Sequence, residues 1–381
     1  CFPPRLPTSG GFLFFEIWLR NYMSLRVGIV GLPNVGKSTL FTALTKKQVD
    51  CANYPFCTIE PNVGMVKVPD ERLGALARIS HSEKIIATAV EFVDIAGLVR
   101  GAHEGQGLGN KFLSHIREVD AIVQVVRAFE NKDIVHVEGR VDPRSDAEVV
   151  NLELIFADLA TVEKRLDAAQ RELKAGVDRE KQKRVLALEK VQAALAGGKL
   201  AREAILTPEE MESVRELQLL TMKPMLYVMN VDEAGLKDAG HLSPPVDGYP
   251  SVVICAKLEA ELAELSETEV KEYLEAAGIP LTGLDQLIVA AYKLLDLITF
   301  LTSGEKETRA WTVRRGATAP QAAGVIHSDF EKGFIRAEVI NWKDFVESAG
   351  EAGAREKGLA RLEGKEYVVK DGDVCHFRFS V

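Results

Sequence analysis

Nothing in this chain of 381 residues is apolar over a length that could cross a bilayer. C-x-x-C is missing too. The five cysteines, Cys1, Cys51, Cys57, Cys255 and Cys375, are odd in number and scattered. That argues against a disulfide framework or a cysteine zinc site and fits a reducing cytoplasm. A surplus of positive charge is also lacking. The net charge of −9 argues against indiscriminate binding to nucleic acid, so any RNA contact would need a local basic patch. No internal repeat or low-complexity tract is present. What remains is an ordinary globular composition, long enough for two or three domains that each bury a core.

The most informative segment is Gly31-Leu32-Pro33-Asn34-Val35-Gly36-Lys37-Ser38, which fits G-x-x-x-x-G-K-[ST]. Val27–Val30 before it reads as a buried strand, and Thr39–Leu44 after it as the first turns of a helix. That setting separates a phosphate cradle from a chance Gly-rich turn. Backbone N–H groups and the helix N-terminus would face the phosphates. Lys37 would reach the β- and γ-phosphates and Ser38 would hold Mg²⁺.

Residues 1–22 read as an extension outside the fold, with a membrane or partner anchor as the alternative. Phe12–Leu19 is apolar but interrupted by Glu16. From position 23 to about 300, strand-length apolar runs alternate with helical stretches: Met65–Val68, Thr88–Asp94, Ala121–Val126, Met225–Asn230 and Val252–Cys255. This predicts an α/β domain with a mostly parallel sheet covered on both faces. Leu152, Ile155, Leu159, Val162, Leu166, Ala169 and Leu173 form a heptad seam, followed after Gly176 by Val185, Leu188, Val191 and Leu195. An antiparallel helical coiled-coil hairpin is therefore expected as an insert over about 151–206. Thr207-Pro208-Glu209-Glu210 carries a capping box for another helix. Residues 301–381 read as a compact α+β domain, with strands at Trp311–Val313, Phe334–Ile340, Tyr367–Val369 and His376–Phe379 and a helix near 321–327.

Asp94-Ile95-Ala96-Gly97 closes a strand with D-x-x-G. Asp94 would engage Mg²⁺ through water, and Gly97 could bring its N–H to the γ-phosphate. Thr58 could complete the Mg²⁺ shell or be an ordinary turn hydroxyl. The glycines Gly97, Gly101, Gly105, Gly107 and Gly109 suit a conformational switch or a merely floppy loop. At the base site, N-K-x-D is replaced by Asn230-Val231-Asp232-Glu233. A carboxylate one methylene longer should not reproduce the bidentate grip on guanine, so guanine selectivity should be weak and adenine plausible. Cys255-Ala256-Lys257 stands where an S-A-K turn would pack on the base.

Gly31–Thr39, Asn53–Asn62 and Asp94–Ala102 resemble the Obg-like GTPase superfamily. Asn230–Glu233, the insert and Arg309-Ala310-Trp311-Thr312 narrow the resemblance to its YchF branch, the Obg-like ATPases, over residues 23–381. The resemblance implies a P-loop G domain, a coiled-coil insert and a C-terminal TGS domain of β-grasp fold. It also implies hydrolysis of ATP in preference to GTP, and association with ribosomes, with the insert and last domain read by the partner. By motif match, Asn34, Val35, Gly36, Lys37, Ser38 and Thr39 hold the phosphates, Ser38 and Thr58 the metal, and Val231 lies against the base beside Asn230. Cys57 stands where the family has Thr. After D-x-x-G, Leu98 replaces a water-positioning Gln and cannot hydrogen-bond to water. His103, His115 and His136 are candidates for that role, His136 being favoured. A GTPase of relaxed purine choice and an ATP-gated scaffold remain open alternatives. Arg314, Arg315, Lys332 and Arg336 could form an RNA-facing patch or simply be solvated.

Overall fold

The computed structural model describes residues 25–47, 60, 62–95, 108–130, 141–176 and 178–380. In the first part of the chain, apolar runs become strands buried on both faces. These are β1 (Arg26–Val30), β2 (Val63–Lys67), β4 (Ala89–Asp94), β5 (Ala121–Arg127), β6 (Met225–Asn230) and β7 (Ser251–Ile254), with β3 (Lys84–Ile86) standing apart. All residues of β5 and β6 are buried, as a doubly covered parallel sheet requires. The order is β2-β4-β1-β5-β6-β7, with β2 antiparallel to β4 and every other join parallel. The chain leaves β1 for neighbours on opposite sides, so the loop after β1 lies at a topological switch point. Ligands of open α/β sheets gather there, beyond the strand C-termini.

The insert between β5 and β6 is a hairpin of two helices, Pro143–Ala175 and Arg179–Ala196. Asp142 and Asp178 cap them, and Gly176 ends the first. Most of the heptad seam is buried, including Ile155, Val162, Leu166 and Ala169, and so are Val185, Leu188, Val191 and Leu195. Leu152 departs from the seam and is 41% exposed. The first helix also begins at Pro143, earlier than the heptad alone indicates. A buried carboxylate ties the hairpin to the turn Leu220–Met222 that leads into β6: Asp158 accepts from the backbone N–H groups of Leu220 and Thr221 and from the Thr221 hydroxyl (2.6–2.9 Å). Burial raises its pKa despite those bonds. The helix Pro208–Arg215 starts on the expected capping box, with Thr207 and Glu210 bonded reciprocally.

The second sheet is built from β8 (Leu297–Ser303), β9 (Glu307–Arg314), β10 (Phe334–Asn341), β11 (Arg361–Glu363) and β12 (Asp373–Phe379), in the order β11-β10-β12-β8-β9-β3. An antiparallel hairpin, a helix (Ala319–Ile326) and a final strand parallel to the first give the β-grasp arrangement. Alternation along β8 turns Ile298 and Phe300 toward that helix and Leu301 toward the opposite face. Tyr367–Val369 is not a strand. It makes a single bridge, Thr318 with Val368, because its backbone bonds go to the turn before the helix (Ala319 N to Tyr367 O, Val369 N to Ala317 O).

One strand of this sheet comes from far upstream. β3 pairs in parallel with β9, and the preceding helix Glu71–Ser80 buries Leu73 and Leu76 against Leu301, Ala310, Ile340, Phe345 and Val374. Arg72 bridges Asp70 and Asp371 (2.7 and 2.8 Å), and Asp371 also accepts from Thr299 N. The excursion between β2 and β4 is thus part of the C-terminal core.

Candidate functional site: a phosphate cradle at the end of strand β1

The helix Lys37–Lys46 begins in a way that leaves its N-terminus open. Its cap is Gly36 at φ 100°, which has no side chain to bond the first turn, and that turn holds no acidic residue. Four N-terminal N–H groups of a helix lack internal partners, and without a carboxylate nearby their partial positive charge is available to an anion. Glycine is required here. A Cβ on Gly36 would lie 2.2 Å from Asn230 Nδ2, and one on Gly31 (φ 152°) would lie 2.4 Å from the Val125 carbonyl oxygen. Asn34 also sits at positive φ (64°).

Asn230, at the end of β6, fastens the loop. Its Nδ2 donates to Val35 O (2.9 Å), and its Oδ1 accepts from Ala256 N (3.0 Å) at the turn after β7. One amide hydrogen of Asn230 is left over for a ligand. The ends of β1, β6 and β7 are drawn together by this one buried side chain. Lys37 is 8% exposed and donates to Leu32 O at 2.7 Å. An ammonium has three hydrogens, so two more can point elsewhere. Burial lowers its pKa to about 8, against the opposing pull of Asp94, whose own carboxyl is raised by burial and drawn back by Lys37. The two charges therefore share one partly dry volume at the ends of β1 and β4, where Asp94 is in register with Ile29.

A cleft of about 680 Å³ opens over the loop, lined by Asn34, Gly36, Lys37, Ser38, Thr39, Asn230 and Val231 among others. Ser38 and Thr39 are exposed there, whereas Val35 is buried and contributes its carbonyl to Asn230. The Ser38 hydroxyl and the Asp94 carboxyl behind Lys37 offer oxygen ligands suited to a hard cation, while the open helix turn suits the phosphate that would carry it. At the base end, Val231 is buried in the wall. Asp232 caps the next helix by accepting from Gly235 N (2.8 Å), and Glu233 pairs with Lys257 at 3.7 Å. Neither carboxylate is organised as a guanine clamp. Cys255 is buried in the same wall and its thiol pKa is raised by that burial.

Phe129 and Glu130 also line the cleft and are not found by motif reading. The Arg127 guanidinium lies 4.5 Å from the centre of the Phe129 ring and donates to its carbonyl (3.0 Å). The available signal was an aromatic two residues past the end of a buried strand that flanks β1. His115 is exposed on the helix Leu108–Glu118. Thr58, Gly97, Leu98, His103 and His136 lie outside the described residues.

A family model described as "50S ribosome-binding GTPase" matches residues 26–190. Another, YchF-GTPase_C, whose description reads "Protein of unknown function (DUF933)", matches 297–380. The chain is 52% identical to the ribosome-binding ATPase YchF of Haemophilus influenzae over 94% of this chain and 100% of that one. Identity and coverage are the same for the Bacillus subtilis protein of that name. The solved structure of the Schizosaccharomyces pombe YchF GTPase superposes with a TM-score of 0.81 at 38% identity, covering 93% of this chain and 98% of that one. Sharing half its residues with proteins that it matches from end to end, the chain belongs to the YchF family of P-loop proteins.

Proposed function

We propose that the protein is a Mg²⁺-dependent ATPase that hydrolyses ATP to ADP and phosphate and acts as a nucleotide-controlled switch on the ribosome, in the cytoplasm. The observation that carries the choice of purine is the fate of the two acids after Asn230. Asp232 is occupied as a helix cap and Glu233 faces Lys257, so the paired acceptor that guanine needs is not in place. The printed names of relatives diverge on this point: the bacterial proteins are called ATPases and the fission-yeast protein a GTPase.

In this reading Asn34 to Thr39 hold the phosphates, and Asn230 and Val231 face the base. Lys37 keeps its bond to Leu32 O and turns its other hydrogens to the β- and γ-phosphates. The negative charge of the triphosphate would return the ammonium toward full protonation. Ser38, Thr58 and Asp94 would hold Mg²⁺, Asp94 through water. The ion would neutralise charge on the phosphate oxygens as the terminal bond breaks. Gly97 N–H would approach the γ-phosphate. Leu98 offers no hydrogen bond to water, so His136 would orient the attacking molecule. The helical hairpin and the C-terminal domain would be the surfaces read by the ribosome, including its RNA. Exposed Lys and Arg on both, Arg336 and Lys174 among them, support that assignment.

Calorimetric titration with ATP and with GTP in Mg²⁺ tests the proposal. ATP is expected to bind at least tenfold more tightly, and EDTA to abolish phosphate release. Tight GTP uptake without ATP uptake would overturn it. A scaffold reading is separated by Lys37→Ala combined with Thr58→Ala: ribosome association that still responds to ATP after hydrolysis is lost would favour it.

A further inference from the structure

The two middle strands of the C-terminal sheet overlap only briefly. β8 and β12 are its middle pair, yet a single residue pair joins them, Val374 opposite Leu301. The joins on either side, β8 with β9 and β10 with β12, run over seven pairs each. β8 ends at Ser303, two residues past that pair, while β12 runs on to Phe379. Thr302 and Ser303 of β8 and Cys375, His376 and Phe377 of β12 line the cavity that results, about 680 Å³ in volume. This lies within the usual range of about 300–1,000 Å³ for ligand pockets. Strands inside a sheet normally have backbone partners on both edges. Among the described residues, Phe377–Phe379 of β12 have no strand registered opposite them on the β8 side.

The chemistry of the cavity has two parts. Its interior is aromatic, with Trp311, Phe330, Phe377 and Phe379. Phe330 and Phe379 stack at 3.9 Å, and Trp311 is held by its Nε1 donating to Thr302 Oγ1 at 2.9 Å. The mouth is acidic. Glu338 and Glu351 are matched by Arg355 and by His376 beside Glu351. Glu305 and Glu307, on the turn between β8 and β9, have no ion-pair partner among the described residues, with only Lys306 between them.

We infer that this cleft receives an extended peptide segment of a protein partner, laid along the edge of β12 beyond the end of β8 as an added strand. Its apolar side chains meet the aromatic interior and its Lys or Arg side chains meet Glu305 and Glu307. The β12 edge at 377–379 supplies main-chain hydrogen bonds, alternate side-chain pockets supply selectivity, and the acids of the turn, which outnumber Lys306, set the charge of the occupant. A nucleotide or other phosphate ligand does not suit this mouth, since its acids outnumber its one lysine.

The test uses the full chain, panned against a random dodecapeptide library, with recovered peptides measured by fluorescence anisotropy. Recovered peptides are expected to alternate apolar residues with Lys or Arg. Glu305→Lys combined with Glu307→Lys should weaken them at least tenfold, with thermal melting and ATP hydrolysis unchanged. Amide exchange in 377–379 should slow at least tenfold in the complex. A library that yields no binder, binders indifferent to the charge reversal, or protection confined to other parts of the chain would each overturn the proposal.

Discussion

Two helix N-termini in this molecule are built to opposite ends. Pro208–Arg215 starts on Thr207, with a reciprocal capping box, proline at the first position and two acids in the first turn. Lys37–Lys46 starts on a left-handed glycine with no capping side chain and no acid. The first closes its orphan N–H groups with its own side chains and is complete alone. The second leaves them open, and a buried ammonium adds a further positive charge beside them. Local stability and readiness for an anion are alternatives at a helix start, and each residue at these two sites takes one side.

The comparison can be broken first at Lys37. Lys37→Ala should lower the rate of phosphate release by about 100- to 1,000-fold, while the melting temperature stays level or rises because a buried charge is removed. Gly36→Ala comes next. The left-handed backbone and the approach of Asn230 should destabilise the chain by about 1–3 kcal/mol in urea unfolding and weaken nucleotide binding as well. Thr207→Ala should show the reverse division. It is expected to lose about 1 kcal/mol of stability with nucleotide affinity unchanged in calorimetry. Lys257→Met should do least. Its pair with Glu233 is exposed on both sides, so stability should move by less than about 0.5 kcal/mol. Any shift in the ratio of ATP to GTP affinity would then report on the base site itself.

The contrast between those two helices was legible in the sequence because both signals are local. A capping box and a P-loop are read within a few residues, and their geometry follows from backbone chemistry. The apolar runs of β5 and β6 and the faces of the hairpin were legible for the same reason: period and burial are properties of one element. Leu152 continues the heptad on paper but lies near the hairpin base, beside Gly198, Leu200 and Pro245 and not against the partner helix, and stays partly in water. Contacts between distant segments were not legible. Lys84-Ile85-Ile86 is a short apolar step after a helix, and nothing in it names β9 as its partner. Tyr367–Val369 has strand composition but is held by a turn. Phe129 carries no motif, and only the folded chain brings it to the cleft over Asn34 and Val231.

β3 and its helix also bear on how the protein can be divided. A chain cut ahead of Leu297 would keep every motif for ATP, yet it would strip the cover from Leu73 and Leu76 and leave Lys84–Ile86 as a lone ribbon in water. The catalytic half is therefore not a detachable module. It borrows solvent protection from a domain encoded two hundred or so residues later, so selection on either half is felt by both.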